Sequence, residues 1–173
     1  PHHHDHHHHH DHDPHIWTSI KGAKTISANI LKALVTLDPQ NQTDYQSNYN
    51  RLTQRLDTLQ KTLHKQLEHL PSRSFIIYHP ALTYFADEFG LKQHSIENDG
   101  KEPSPALLKQ LIEETRTEKT RIVFIQMEFD RKHAEQIARE TGAKTITINP
   151  LDYQWEKQIK TIANALSENG KTD

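Results

Sequence analysis

Ten of the chain's 15 histidines fall within its first 15 residues. They are His2, His3, His4, His6, His7, His8, His9, His10, His12 and His15, interleaved with Asp5, Asp11 and Asp13. Neutral imidazole is a leading ligand for zinc and its neighbours in the first transition row, and nearby carboxylates favour a bound cation. A tract this dense offers donors for more than one labile ion. Pro1 to Asp13 carry no apolar residue that could offset the entropy of ordering, so the tract is expected to be mobile without metal. A purification tag is the bland alternative. Aspartates break the run, however, and it passes without a linker into Asp13-Pro14-His15-Ile16-Trp17. Metal handling is the better reading.

Two histidines, His15 and His79, stand apart from the tract. His15 lies between Pro14 and the bulky Ile16-Trp17 pair, and a tight metal site needs ligands held near their final geometry. His79 directly follows the apolar run Ser74 to Tyr78 and precedes Pro80. In an open α/β sheet, ligands gather beyond the carboxyl ends of the strands. His79 is therefore either a ligand or a helix-capping residue satisfied by a neighbouring carbonyl. The other strand ends offer Glu128, Asn149 and Asp152 as possible additional metal residues. His64, His69, His94 and His133 sit on helix faces or in a polar strand and read as solvated.

The elements that must position these residues follow from the rhythm of apolar positions. Ile20, Ala23, Ile26, Ile30, Leu31 and Leu34 have helical spacing behind the cap-type residues Thr18 and Ser19, with an end near Leu37 before Asp38-Pro39. Thr43 or Asp44 can cap the longest element, in which Tyr45, Tyr49, Leu52, Leu56, Leu59, Leu63, Leu67 and Leu70 alternate steps of four and three. From Thr43 to Leu70 it would span on the order of 40 Å. Its leucine stripe fits a coiled-coil seam or a spine between packed lobes. The e and g positions lack a complementary charge pattern, which favours the spine.

From Ser74 onward, candidate strands Ser74–Tyr78, Lys92–Ile96, Arg121–Gln126 and Lys144–Ile148 alternate with helices Ala81–Phe89, Ser104–Thr117, Arg131–Thr141 and Tyr153–Ser167. This alternation predicts an α/β lobe with a four-stranded, mainly parallel sheet covered by helices. Ser104-Pro105 is a helix start, and Gly90 and Gly142 stand where helices stop.

Composition narrows the function. The chain has 173 residues, a net charge of −2 and no cysteine. Thiolate metal sites and disulfides are thereby excluded. Near neutrality, without a basic patch of interleaved aromatics, argues against a nucleic-acid partner. No apolar run approaches a membrane span, and no signal peptide is visible. A chain that opens inside a histidine tract reads as a fragment.

The residues resemble a known family: the ZnuA-like periplasmic zinc-binding receptors of bacterial ABC importers, in the cluster (A-I) that also holds manganese receptors. The resemblance is carried by the histidine tract with Asp13-Pro14-His15-Ile16-Trp17, and by the long leucine-rich helix. It continues through Tyr78-His79-Pro80-Ala81, Tyr84-Phe85 and Phe89-Gly90-Leu91, then Gly100-Lys101-Glu102-Pro103-Ser104-Pro105. Phe124-Ile125-Gln126 with Phe129 and Ala134, then Gly142-Ala143-Lys144 and Asn149-Pro150-Leu151, complete it.

The resemblance implies two α/β lobes joined by one long helix, with the metal held between them. Residues 1–13 would be the histidine-rich loop that gathers zinc or senses it, and 14–42 the end of an N-terminal lobe largely missing from this chain. Residues 43–70 would form the spine and 73–173 the C-terminal lobe. His15 matches the family's second metal histidine and His79 its third, with the first in the missing lobe. Manganese-type relatives tend to carry glutamate at the position of His79, so imidazole there favours Zn²⁺. Many relatives carry Asp where this chain has Asn149, so water or a carboxylate such as Glu128 or Asp152 would complete the site.

The function so implied is zinc capture in the periplasm or cell envelope and delivery to an ABC permease, without catalysis. A zinc hydrolase on the same histidines is one alternative, but no HExxH, paired nucleophile or phosphate loop is present. A histidine-rich storage or interaction module on a helical stem is another. An exposed lobe interface would be covered by the missing lobe or by a second copy of the chain.

Overall fold

The computed structural model describes residues 12–97 and 100–168. The four candidate strands become one wholly parallel sheet of β1 (Ser74–Ile77), β2 (Lys92–Ser95), β3 (Ile122–Gln126) and β4 (Lys144–Ile148), in the order β2-β1-β3-β4. The registers pair Ile77 with both Ser95 and Phe124, and Gln126 with Ile148. The central strands β1 and β3 are buried along their whole length, which is why they read as unbroken apolar runs.

Alternation along the strands divides the core between the two faces. Phe75, Ile77, Ile122 and Phe124 point to one side, and Ile76, Val123 and Ile125 to the other. The first face is covered by α2 (Gln42–Gln66), α3 (Thr83–Phe89) and α6 (Trp155–Glu168). The second is covered by α4 (Pro105–Thr117) and α5 (Lys132–Thr141). Each fully buried Phe or Leu in such a core contributes about 1.5–3 kcal/mol. Crossovers leave β1 in one direction and β3 in the other, so the topological switch lies between the carboxyl ends of β1 and β3. That is where His79 emerges.

Ahead of the sheet, α1 (Ile20–Leu37) and α2 form a helical hairpin. Ser19 caps α1 as expected, its Oγ accepting from Gly22 N at 2.9 Å. The cap expected at Thr43 or Asp44 is not used. A 3₁₀ turn over Pro39–Asn41 runs directly into α2 at Gln42, leaving Asp44 within the first turn, where its charge suits the helix dipole. The helix also ends at Gln66 instead of Leu70, and Arg73 fills the carbonyl end by donating to Leu67 O and Glu68 O at 2.9 and 3.3 Å. Leu56, Leu59, Leu63 and Leu67 of the stripe enter the core. Leu52 does not, and with Ile30, Leu34 and Leu37 it leaves apolar surface exposed on the hairpin.

The helix expected from Ala81 begins at Thr83. Ala81 N bonds back to His79 O at 2.7 Å, and Leu82 N is taken by Gln93 Oε1 at 2.9 Å, so Pro80 to Leu82 form an irregular corner. Among the described residues no helix is long and apolar enough to cross a membrane.

His94 corrects a further expectation. Its side chain is only 10% exposed, with Nδ1 at 3.1 Å from Glu114 Oε2 and Nε2 at 2.7 Å from Glu118 Oε2. Lys92 Nζ reaches the other oxygen of Glu118 at 2.5 Å. Burial pushes the Glu118 carboxyl up, but hydrogen bonds from Lys92, His94 and Ser74 and the charge of His94 outweigh it, bringing the pKa from 4.5 to about 2. A carboxyl depressed in the folded state stabilises it above its unfolded pKa, and that contribution is lost as pH falls from about 4.5 to about 2. Glu118→Gln should therefore lower the melting temperature at pH 7 and have little effect near pH 2. Thermal melts at the two values test this, and an equal loss at both would refute it.

Candidate metal centre

Two short segments build the site. His15 sits at the head of the 3₁₀ turn Ile16–Thr18 that leads into α1, and His79 sits two residues beyond β1. Their Nε2 atoms face each other at 3.3 Å. On the far side of each ring is a carboxylate. Asp13 Oδ1 lies 2.6 Å from His15 Nδ1, and Glu97 Oε1 lies 2.6 Å from His79 Nδ1.

A carboxylate only accepts hydrogen bonds, so the hydrogen-bond network assigns the proton of each neutral ring to Nδ1. Both Nε2 lone pairs then point at the same small volume. Two nitrogens each about 2.0–2.1 Å from a tetrahedral zinc stand about 3.3–3.4 Å apart. The observed gap fits that value. Carboxylates behind ligating imidazoles fix ring orientation and raise basicity, and both rings have this support.

Each ring is also held from its backbone. Asp13 Oδ1 accepts from His15 N at 2.9 Å, and Tyr84 Oη donates to Asp13 O at 2.8 Å. Burial pushes the Asp13 carboxyl up, but bonds from His15 N, the Thr83 hydroxyl and the His15 ring hold it below the usual carboxylate range. His79 is gripped by Gln126, buried at the end of β3. Gln126 Nε2 donates to His79 O at 2.7 Å, and its Oε1 accepts from His79 N at 3.3 Å. Phe129 stacks on the His79 ring at 5.6 Å and 21°. His79 is 32% exposed and His15 17%, so the pair is open on one side to an arriving ion.

The remaining sequence candidates do not join the pair. Glu128 is exposed on the turn after β3. Asn149 Oδ1 accepts from Leu151 N at 3.1 Å, and Asp152 Oδ1 accepts from Gln154 N at 2.7 Å, so both serve the loop before α6. Among the described residues no group of three or more His, Cys, Asp or Glu is arranged to hold a metal. His12 is exposed, and His2 to His10 lie outside the described residues.

Glu97 and Gln126 were not singled out as site residues from sequence, and Asp13 only as one of the carboxylates of the histidine tract. Glu97 could have been, since it stands two residues past β2 and the strand-end rule that found His79 applies to it equally.

A family model described as "Zinc-uptake complex component A periplasmic", ZnuA, matches residues 1–172. The chain belongs to this family. It is 30% identical to the zinc-binding lipoprotein AdcA of Streptococcus pneumoniae over 168 residues, covering 96% of this chain and 32% of that protein. The high-affinity zinc uptake system protein ZnuA of Bacillus subtilis is 34% identical over 145 residues, covering 81% and 44%. A crystal structure of ZnuA superposes with a TM-score of 0.88 at 36% identity, covering 92% of this chain and 62% of that one. The laminin-binding protein Lmb of Streptococcus agalactiae, described as an adhesin with metal-transporting activity, gives 0.81 at 28% identity, covering 89% and 65%. The chain thus spans about a third to a half of the length of these curated ZnuA-family relatives.

Proposed function

We propose that this chain presents two of the zinc ligands of a solute-binding receptor, which captures Zn²⁺ in the periplasm or cell envelope and delivers it to an ABC importer permease. The observation that carries this reading is the 3.3 Å gap between the Nε2 atoms of His15 and His79, each ring backed by a carboxylate. Zinc is the ion this donor set suits, because manganese prefers more oxygen ligands. The names of the AdcA and ZnuA relatives, and a ZnuA deletion mutant crystallised with zinc bound at 36% identity, support the same choice.

In this reading His15 and His79 supply two imidazoles, and a third comes from the N-terminal lobe. Residues 14–42 close that lobe, 43–70 connect the lobes, and 73–173 form the C-terminal one. The histidine tract binds further ions weakly. Catalysis is not part of the proposal. A zinc hydrolase needs a free carboxylate beside the metal to act as general base. Asp13 and Glu97 are spent on the imidazole Nδ1 atoms, and Asn149 and Asp152 on backbone N–H groups.

The test is a calorimetric zinc titration at neutral pH of the protein as its gene encodes it, with and without the segment corresponding to Pro1–Asp11. One tight site should survive removal of the tract, with only weak additional binding lost. If all binding leaves with the tract, the storage reading replaces the receptor.

A further inference from the structure

The chain has two tryptophans, and both fasten the turn that carries His15. Trp17 Nε1 donates to Pro150 O at 3.0 Å, and Trp155 Nε1 donates to Trp17 O at 2.6 Å. Trp155 opens α6 and packs against the core, while the Trp17 ring lies 5.3 Å from that of His15. The two bonds cross between the same two segments in opposite directions. They tie the 3₁₀ turn to the loop between β4 and α6.

Flanking tethers come from α3 and from α2, where Lys24 Nζ meets Asp57 Oδ1 at 2.5 Å and donates to Gln60 Oε1 at 2.7 Å. Tyr84 Oη holds Asp13 O, and Glu88 Oε2 accepts from Ile20 N and Lys21 N at 2.8 and 3.1 Å. Those bonds grip the chain before and after Ile16–Thr18, whereas the two indole bonds grip the turn itself. His79 is held independently, by Gln126 and Glu97 from the sheet and its edge. The separation of the two Nε2 atoms therefore depends on how the turn itself is held. A metal pair tolerates displacement of only about 0.5 Å.

We infer that Trp17 and Trp155 form a clamp that sets the His15–His79 gap, acting as positioning residues for metal binding through their N–H groups. The inference rests on the proposed metal site. Trp155→Phe keeps an aromatic ring in the core and removes the N–H that reaches Trp17 O. Loss of such an outer support typically lowers metal affinity about 10–100-fold.

The experiment measures zinc affinity by competition with a chelator, the visible spectrum of the Co²⁺-loaded protein, and the melting temperature of the metal-free protein. It uses the gene-encoded protein and its His79→Ala, Trp155→Phe, Trp17→Phe and Ser104→Ala variants. Ser104→Ala removes the cap of α4 on the opposite face of the sheet and controls for stability alone. Trp155→Phe should weaken zinc about 10–100-fold and alter the Co²⁺ spectrum, while Ser104→Ala changes only the melting temperature. If Trp155→Phe behaves like Ser104→Ala, the clamp is overturned and the metal site stands. If the parent has no tight site, or keeps it in His79→Ala, the metal-site reading falls and the clamp with it. Should Trp155→Phe fail to fold, Trp17→Phe, which leaves Trp155 in the core, decides by the same criteria.

Discussion

Replacing His79 by alanine is expected to abolish the tight zinc site, and Glu97→Gln to weaken it about 10–100-fold while leaving it measurable. The two differ because one removes a lone pair and the other removes what aims it. Glu97, 8% exposed, can only accept from His79 Nδ1, and this assigns the metal-binding lone pair to Nε2. A glutamine in its place could donate to Nδ1 through its amide nitrogen. That tautomer would put the proton on Nε2, where the ion must sit. Competition with a chromogenic zinc chelator separates the effects. Glu97→Gln binding as tightly as the parent would show that the carboxylate does not control the ring.

Gly22→Ala is expected to be costly although it adds a better helix former to α1. A Cβ there would stand 2.7 Å from the Ile16 carbonyl carbon and 2.9 Å from Ser19 Oγ, with the Ile16 oxygen nearer still. The helix-propensity gain is about 1 kcal/mol. Forcing atoms into a filled space costs about 1–3 kcal/mol and occasionally more, and here the obstacle is backbone that cannot rotate aside. The balance should be a loss of about 2 kcal/mol, lowering the melting temperature by about 4–8 °C at this chain length. Ile16 follows His15 directly, so zinc affinity should fall as well. A melt at or above that of the parent would refute the argument.

The sheet was legible because its central parallel strands are buried on both faces and read as short apolar runs, residues 75–77 and 122–125, among the helical segments around them. His79 was legible for the same reason, since a strand end in such a sheet points into the cleft. His15 was legible as a residue held stiffly between Pro14 and Ile16. What was not legible depends on pairings distant in sequence. His94 looked solvated in the polar strand Lys-Gln-His-Ser, and nothing local announces that Glu114 and Glu118 close over it. Asn149 and Asp152 stood out as possible additional metal residues because they follow a strand end, Asn149 where many relatives carry Asp. The same short side chains bond readily to backbone two residues on, and here they do. The start of α2 was misplaced because a 3₁₀ turn supplied the geometry that a side-chain cap was expected to supply.

The indole bonds of Trp17 and Trp155 bear on when the metal pair is fully seated. They close sequence separations of 133 and 138 residues. Contacts that distant incur loop-closure entropy before any reward and form late. During synthesis His15 and His79 both emerge well before Trp155, and the indole bonds to the turn that carries His15 can form only once β4 and the start of α6 are in place. A chain that lacks Trp155 is expected to bind zinc less tightly than one that carries it. Once seated, the pair returns the favour by mass action, since an ion that binds only the finished fold stabilises it. In the proposed receptor, tight zinc binding would mark molecules in which the chain through Trp155 has been seated against the turn that carries His15.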